Sequence, residues 1–239
     1  MKPKLYLSIT TCVIFFACHG MAYDFSTSNV QLLRGSGYQL GDTDRTIATF
    51  ELANSYSLGD FFFFFDATNP FTDGTSIYGE ISPRFSVGKI INKDLSFSIF
   101  KDLLVTTTLE TGNDIRRYLY GLAIDLKIPY FQFLKLNFYI RDDQKIENDY
   151  TMQTTIAWRV LVPISITKLI FEGFFDYAGG EGDKEPNIMA APRLLIDIGS
   201  FWKDPTRIEA GVEFQIWKNK FGVKDVNEFV PQAMVKYIF

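Results

Sequence analysis

The segment SIYGEISPRFSV, at residues 76–87, alternates between two kinds of side chain along its whole length. The odd-numbered residues are apolar or lack a side chain: Ile77, Gly79, Ile81, Pro83, Phe85 and Val87. The even-numbered residues carry a charge or a hydroxyl group: Tyr78, Glu80, Ser82, Arg84 and Ser86. Because successive side chains of a β-strand point to opposite faces, this period of two predicts a strand with one apolar and one polar face. Its length suits a tilted strand that crosses a bilayer in about ten residues.

The same alternation recurs along the rest of the chain. Candidate strands cover residues 26–36, 45–57, 60–68, 76–89, 95–110, 116–128, 132–142, 150–163, 167–178, 190–201, 207–219 and 229–239. Bacterial outer-membrane barrels have an even number of antiparallel strands, and about twelve are predicted here. We therefore predict an all-β fold, a transmembrane antiparallel β-barrel that forms a single domain over residues 23–239.

The predicted connections differ in length. Short turns are expected at residues 91–94, 128–131 and 165–167, and longer polar loops at 69–75, 110–115, 142–149 and 179–187. Short turns on one rim and longer loops on the other are typical of outer-membrane barrels. Alternation alone would also suit a soluble antiparallel sheet with one wet face, so export and the number of strands favour the barrel.

The first residues predict a cleaved signal peptide. Lys2 and Lys4 precede a short apolar run, and a small-residue cleavage site ends at Ala22, so residues 1–22 would be removed. A lipoprotein signal with Cys18 as the lipidated residue is the alternative. Cleavage at Ala22 removes two lysines and no acid, which takes the formal net charge from −4 to −6. A mildly acidic chain is a poor candidate for binding nucleic acid.

Cleavage would also limit the chemistry that the chain can perform. Both cysteines, Cys12 and Cys18, and the sole histidine, His19, would leave with the signal. The mature chain would then have no thiol nucleophile, no Ser-His-Asp triad and no histidine zinc site. We accordingly predict no catalytic residue, no metal and no cofactor, and we expect that the protein is not an enzyme. An outer-membrane hydrolase, which relies on a histidine beside a serine, is the weaker alternative.

The last strand ends the chain on an aromatic residue. Val235, Tyr237 and Phe239 fall on one face and alternate with the residues between them. This pattern resembles the assembly signal of bacterial outer-membrane proteins, so the barrel-assembly machinery is a predicted partner through Phe239, and membrane lipid is another. The alternative is an ordinary edge strand, which would be an aggregation hazard in a soluble fold.

Several segments together resemble the Tsx/OmpK family of nucleoside-specific outer-membrane channels. Residues 78–87 are similar to its E-x-x-P-R-F-S strand, and residues 60–67 to the aromatic run that Asp-Ala closes before it. Residues 93–97, 120–125, 162–164 and 173–177 also match family segments, in order. The chain departs from enterobacterial members in a shorter C-terminal half, and in Phe62 and Phe64 where those members tend to have tyrosine.

The resemblance implies a monomeric twelve-stranded barrel in the bacterial outer membrane, with a narrow lumen. It implies passage of nucleosides and deoxynucleosides along aromatic and ionisable wall residues. It also makes a phage or a colicin a candidate partner, because some members serve as receptors. The open alternatives are a receptor or structural barrel with a plugged lumen, and a channel for another small polar solute.

Strand parity predicts which residues face the lumen. The candidates for contact with the solute are Phe62, Phe64, Asp66, Tyr78, Glu80, Arg84, Asp125, Tyr139, Arg141, Glu172, Phe174 and Asp176, with Arg159, Glu209 and Glu213 on the same faces. A base can stack on an aromatic ring, and carboxylates and guanidinium groups can hydrogen-bond a sugar. Three other interpretations stay open: an aromatic girdle at residues 61–65, a Glu80–Arg84 salt bridge that braces the wall, and rim positions for Asp66 and Asp176.

Overall fold

The computed structural model of the chain describes residues 23–147 and 149–239. The predicted signal peptide lies outside the described residues, so its cleavage stays a prediction. Within those two ranges, no helix is long and apolar enough to cross a membrane.

The described residues form one sheet of thirteen antiparallel strands. The strands are β1 Tyr23–Ser36, β2 Asp44–Tyr56, β3 Gly59–Thr68, β4 Ser76–Ser86, β5 Phe100–Gly112, β6 Ile115–Leu126, β7 Phe131–Asp143, β8 Thr151–Ile164, β9 Thr167–Ala178, β10 Asn187–Ala190, β11 Arg193–Asp197, β12 Ile208–Lys218 and β13 Glu228–Ile238. Between them lie a short helix, α1 Val87–Ile90, and 3-10 turns at Ile198–Trp202 and Lys220–Gly222. The segments that alternate in the sequence are therefore strands throughout the sheet.

The sheet closes on itself. From β1 to β9 each strand pairs with the next, and β13 pairs with β1 through Leu32 opposite Val235. The N–H of Phe239 also donates to the carbonyl of Ser28, at 3.0 Å. The terminal strand is thus paired on both sides, because β12 covers its other edge. The result is a closed barrel, which removes the exposed edge that a soluble sheet would have.

Two of the thirteen strands share one place in the barrel. β10 and β11 both lie between β9 and β12, and the chain breaks its ladder between them at Ala191 and Pro192. Proline has no N–H to donate, so the ladder cannot continue through it. Ala191 N–H still donates to Phe174 O at 3.0 Å, and Pro192 O accepts from Phe214 N–H at 2.9 Å. The described part of the chain is therefore a twelve-stranded barrel, as the sequence predicted.

Inside and outside alternate along each strand, and β13 illustrates the pattern. Its inward residues Val230, Gln232, Met234 and Lys236 are buried, whereas Phe229, Val235 and Tyr237 are exposed. The exposed residues belong to an apolar outer surface that suits the hydrocarbon of a bilayer. The buried residues of β13 line the interior. Residues of β1 and β12 that are paired in register with them therefore also face inward.

Part of the interior is filled by apolar side chains. Leu33, Ile170, Leu195 and Met234 form a buried cluster on the inward faces of β1, β9, β11 and β13. Leu195 is fully buried. The interior is therefore not a water-filled cylinder throughout, which agrees with the narrow lumen that the resemblance implies.

The connections differ from the expected layout at two places. Predicted strand 76–89 ends early because Ser86 Oγ accepts the N–H of Lys89 and caps α1, and β5 begins at Phe100 instead of residue 95. The connection 87–99 is therefore long, although a short turn was expected at 91–94.

Residues 110–115, expected as a longer loop, close in a tight turn at Asn113 and Asp114, since Asp114 adopts a left-handed conformation. Asn and Asp tolerate that conformation better than most residues.

We call the rim that carries Tyr23 and Phe239 the inner rim, and the opposite rim the outer rim. The connections of the outer rim include 37–43, 69–75, 179–186 and 219–227. The inner rim carries the short turns 57–58, 127–130 and 165–166, as the periplasmic rim of outer-membrane barrels does, together with two longer connections, 87–99 and 198–207.

Candidate functional site

Ionised side chains fill much of the lumen and form two networks. The first ion network contains Asp60, Arg84, Asp125 and Lys135. Arg84 donates from Nε to Asp60 Oδ1 and from Nη1 to Asp125 Oδ1, both at 2.8 Å. Lys135 Nζ lies 3.2 Å from Asp60 Oδ2, although β4, β5 and β6 separate their strands. Such a contact requires the two walls to approach each other, so the lumen is narrow at this level.

The second ion network lies on the other wall. Its members are Glu51, Arg159, Glu172, Arg193, Glu209, Glu213 and Lys236. Lys236 pairs with Glu172 and, at 3.0 Å, with Glu209. Arg193 pairs with Glu213 at 2.6 Å and reaches Glu51 of β2 at 3.1 Å. These cations are satisfied by protein carboxylates, as buried charges generally are.

Three aromatic rings form a continuous surface on the inward face of β3 and β4. The Phe62 and Phe64 ring centroids are 6.0 Å apart, and those of Phe64 and Tyr78 are 5.7 Å apart. We call these three rings the aromatic ladder. Centroid separations of this size are typical of interacting aromatic pairs. The rings are tilted by 40° and 56° to one another, so each offers its own apolar face inside an otherwise ionised lumen.

Carboxylates border the aromatic ladder. Tyr78 donates from its hydroxyl to Glu80 Oε1 at 2.7 Å, and Glu80 lies opposite Phe64 across the strand pair. Asp66 lies opposite Tyr78 and accepts from Thr49 Oγ1. Directly opposite residues of paired strands have neighbouring side chains. The ladder and hydrogen-bond acceptors therefore occupy the same stretch of wall.

The other predicted lumen residues lie on inward faces of β6 to β9. Tyr139 is buried, with its hydroxyl 3.2 Å from Thr106 Oγ1. Asp176 accepts from Thr155 Oγ1, and Phe174 lies on the same face of β9 between Glu172 and Asp176. All twelve candidates named from the sequence thus line the interior. Their contact with a solute stays a prediction.

Arg141 differs from the other buried arginines. It is 6% exposed, yet its closest ion-pair contact is to Glu181 Oε2, at 3.8 Å. Among the described residues, its Nε has no hydrogen-bond partner. Arg141 therefore keeps a free hydrogen-bond donor, whereas Arg84 and Arg193 donate to neighbouring carboxylates.

The Glu80–Arg84 salt bridge, one of the interpretations left open, does not form between the described side chains. Arg84 is held by Asp60 and Asp125, and Glu80 is held by Tyr78. A local pattern of four residues could not reveal partners on β3 and β6, since those partners depend on strand register. Arg84 is thus paired within its own network, and its contact with a solute stays a prediction. Within the two described ranges, no cluster of His, Cys, Asp and Glu has the geometry of a metal site.

The outer mouth contains residues that sequence parity did not find. Tyr38 folds inward from the connection 37–43 and donates to Gln232 Oε1 at 2.6 Å. Lys220 donates to Glu228 Oε1 at 2.6 Å and lies over the rings of Tyr38 and Trp217. Burial raises the pKa of Tyr38 to about 12 and lowers the pKa of Lys220. Alternation identifies strands, so it carries no signal for side chains that connections bring into the lumen.

A second segment closes over the same mouth. We call residues 179–186 the inward loop. Glu181 is 2% exposed and accepts the N–H of Asp143 at 2.8 Å, while Lys184 Nζ donates to Asp143 Oδ2 at 2.8 Å. Burial raises the pKa of Glu181, and the Asp143 N–H acts in the opposite direction. Asp143 therefore holds the loop against β7 in two ways, because its N–H donates to Glu181 and its carboxylate accepts from Lys184.

A closed barrel with an apolar outer surface and an ionised, aromatic-lined interior defines a channel of the outer membrane. The chain belongs to the family described as nucleoside-specific channel-forming protein, Tsx, whose sequence profile matches residues 22–237. That family is defined by a channel, not by a reaction.

Relatives agree with this assignment. The chain is 26% identical to outer membrane protein OmpK of Vibrio parahaemolyticus over 67% of this chain, and the match spans 63% of the relative, less than two thirds of its length. OmpK of Vibrio parahaemolyticus serotype O3:K6 (strain RIMD 2210633) is 22% identical, over 83% of this chain and 80% of the relative. The solved KdgM porin has the same fold, with a TM-score of 0.51 and 10% identity, over 89% of this chain and 99% of that one.

Proposed function

We propose that this channel is a route for the passive uptake of nucleosides and deoxynucleosides. The observation that carries the proposal is the aromatic ladder, Phe62, Phe64 and Tyr78, bordered by Glu80 inside the barrel. The description of the family, which names nucleosides, supports the same solute.

The ladder matches the two halves of a nucleoside. A base has a flat face that stacks on aromatic rings in a manner that tolerates differences between bases. The sugar carries hydroxyl donors, and Glu80 and Asp66 supply acceptors beside the rings. Carboxylates accept hydrogen bonds at two oxygens each, so a hydroxyl can be added to those that Tyr78 and Thr49 already donate.

A channel must also release its solute. Several weak sites in series conduct better than one tight site. Tyr139 on β7 and Phe174 on β9 place further aromatic rings on the inward face, and Arg141 offers a donor. We expect the solute to pass from one of these surfaces to the next.

Planar-bilayer recordings of the purified barrel test the proposal. Thymidine or adenosine at millimolar concentration should reduce the ionic current, and Phe64→Ala should weaken that block about tenfold, the effect typical of one stacking platform. Phe65→Ala is the matched control, because Phe65 is the next residue and points outward. Absence of block in the wild-type barrel would refute the nucleoside function.

A receptor barrel is the second candidate function. The inward loop and Tyr38 fold over the outer mouth, which favours a closed surface that a phage or colicin could bind. A conducting wild-type barrel would count against a fully plugged lumen.

Liposome swelling with nucleosides, amino acids and sugars would separate a nucleoside channel from a channel for another small polar solute. The monomeric state and the role of Phe239 in assembly remain predictions, which gel filtration in detergent and deletion of Phe239 would test.

A further inference from the structure

The connection 87–99 on the inner rim is long, although the periplasmic turns of outer-membrane barrels are generally short. Its path is fixed by hydrogen bonds. Lys93 N–H donates to Gly88 O at 2.9 Å, and Phe97 and Phe100 exchange two backbone hydrogen bonds. The connection belongs to neither ion network and not to the aromatic ladder, so the proposed passage of nucleosides does not account for it.

A cavity of about 310 Å³ lies between this connection and the start of β5, and we call it the rim cavity. Because liquid water takes about 30 Å³ per molecule, the cavity has room for about ten heavy atoms. Its charged lining residues are Lys89, Lys93, Lys101, Asp94 and Asp102. Asp102 already accepts from Ser86 Oγ at 3.0 Å. Asp94 accepts the N–H of Ser96 at 2.8 Å, so the three lysines outnumber two acids that have donors of their own.

Two of the three lysines have no partner in the protein. Lys89 Nζ donates to Tyr56 O at 2.9 Å. By contrast, the ammonium groups of Lys93 and Lys101 form no hydrogen bond or ion pair with any residue that the structure describes, and both side chains are exposed. These two free cations line one cavity, so an anion in the cavity could contact both.

The rim cavity lies where the lipid-facing surface of the barrel meets the inner rim. The β5–β6 ladder shifts register between Phe100 and Asp102, which leaves Lys101 outside the pairing. A bulge of this kind redirects a side chain, and four residues further along β5 Val105 is exposed on the lipid-facing surface.

The connection also presents apolar side chains beside the free lysines. Phe97 is 70% exposed, and Ile99 is exposed next to the start of β5. In a membrane protein, aromatic rings and lysines at a rim lie at the level of the lipid headgroups. The cavity therefore combines positive charge with apolar surface, which is complementary to an anionic amphiphile.

We propose that the rim cavity holds the headgroup of an anionic phospholipid, with its phosphate between Lys93 and Lys101. Clusters of basic residues at a membrane surface attract anionic lipids. The acyl chains of the lipid would lie along Val105 on the outer surface of β5, and Phe97 would contact its glycerol backbone. A soluble anion would match the lysines but leave these apolar side chains unused. The lipid site does not depend on whether nucleosides are transported.

Native mass spectrometry of the full barrel in detergent micelles, titrated with one lipid at a time, tests the proposal. One phosphatidylglycerol should bind at least about fivefold more tightly than phosphatidylcholine with the same acyl chains, because each lysine near an anionic headgroup contributes about that factor. Lys93→Gln and Lys101→Gln should each lower the affinity for phosphatidylglycerol about fivefold and leave that for phosphatidylcholine unchanged. Lys93→Arg, which keeps the charge, should retain the wild-type affinity.

Lys203→Gln is the matched control, because Lys203 is exposed on the same rim and does not line the rim cavity. It should leave both affinities unchanged. An equal loss in Lys203→Gln, or equal binding of the two lipids by the wild-type barrel, would overturn the proposal. Displacement of phosphatidylglycerol by millimolar inorganic phosphate would also overturn it, since a soluble anion would then be the ligand. All these variants change exposed side chains, and heat-modifiable gel migration reports their assembly.

Discussion

Arg193 on β11 and Glu51 on β2 meet across the lumen, with Arg193 Nη1 3.1 Å from Glu51 Oε1. The strands β12, β13 and β1 lie between them in the sheet. Their side chains therefore span the interior instead of linking neighbours. This contact, with Lys135 to Asp60, limits the width that a solute can use.

Glu51→Ala should widen the channel. Arg193 keeps Glu213 at 2.6 Å and Glu172 at 3.6 Å, so the variant should still assemble. We expect single-channel conductance to rise by about half, because a side chain that bridges the lumen is lost. Glu213→Ala is the control, since Glu213 lies on β12, which pairs with β11, and does not cross the lumen. An equal rise in both variants, or none in Glu51→Ala, would contradict this interpretation.

Arg84→Met should destabilise the barrel. The substitution leaves Asp125 without the cation that it contacts at 2.8 Å, and Asp60 with Lys135 alone. Breaking one partner of a buried ion pair typically costs about 3–5 kcal/mol. Urea unfolding in detergent or liposomes, followed by heat-modifiable migration, would measure the loss.

A rescue variant makes the Arg84 test specific. Adding Asp60→Asn and Asp125→Asn to Arg84→Met should recover much of the stability, because the orphaned charges are gone. Should Arg84→Met remain as stable as the wild type and lose only nucleoside block, Arg84 would be a solute contact and not a brace.

The inward loop should loosen as pH rises. Burial raises the pKa of Glu181 above its ordinary value of 4.5, and Arg141, Asp143 and Lys184 face it. A raised pKa means that the folded-in position binds the proton more tightly. Its stabilisation is present below the ordinary pKa and is lost as pH rises through the raised pKa.

Current recordings between about pH 4.5 and pH 8 would reveal this change as more frequent opening at the higher pH. Glu181→Gln mimics the protonated acid. At all of these pH values, the variant should therefore open as rarely as the wild-type barrel does at about pH 4.5. Lys145→Met, which alters an exposed ion pair on the same rim, should retain the wild-type pH response. A Glu181→Gln barrel with the full pH response would disprove the role of Glu181.

Gly121→Ala should impair assembly. A Cβ at Gly121 would lie 1.8 Å from the carbonyl oxygen of Phe138 on β7, so β6 and β7 could not keep their spacing. We expect a much smaller heat-modifiable fraction than in the wild type. Gly74→Ala is the control, because a Cβ there has its nearest neighbour at 3.7 Å. Normal assembly of Gly121→Ala would show that the strands can separate without cost.

The alternation of residues 76–87 and its repeats identified by themselves the strands, their number and the face that each side chain takes. That information is local, because the period of two in a strand follows from backbone geometry alone. The inward positions of Phe62, Phe64 and Glu80 followed from the same rule. The family segments added the outer membrane and the channel.

Only the tertiary structure decided which inward residues meet. Arg84 has its partners on β3 and β6, Arg193 reaches β2, and Tyr38 and Glu181 enter the lumen from connections. These contacts depend on the stagger with which the strands close the barrel and on the path of the loops. Neither quantity is encoded in the pattern of one strand, so the ion networks and the side chains of the mouth could be identified only in the closed barrel.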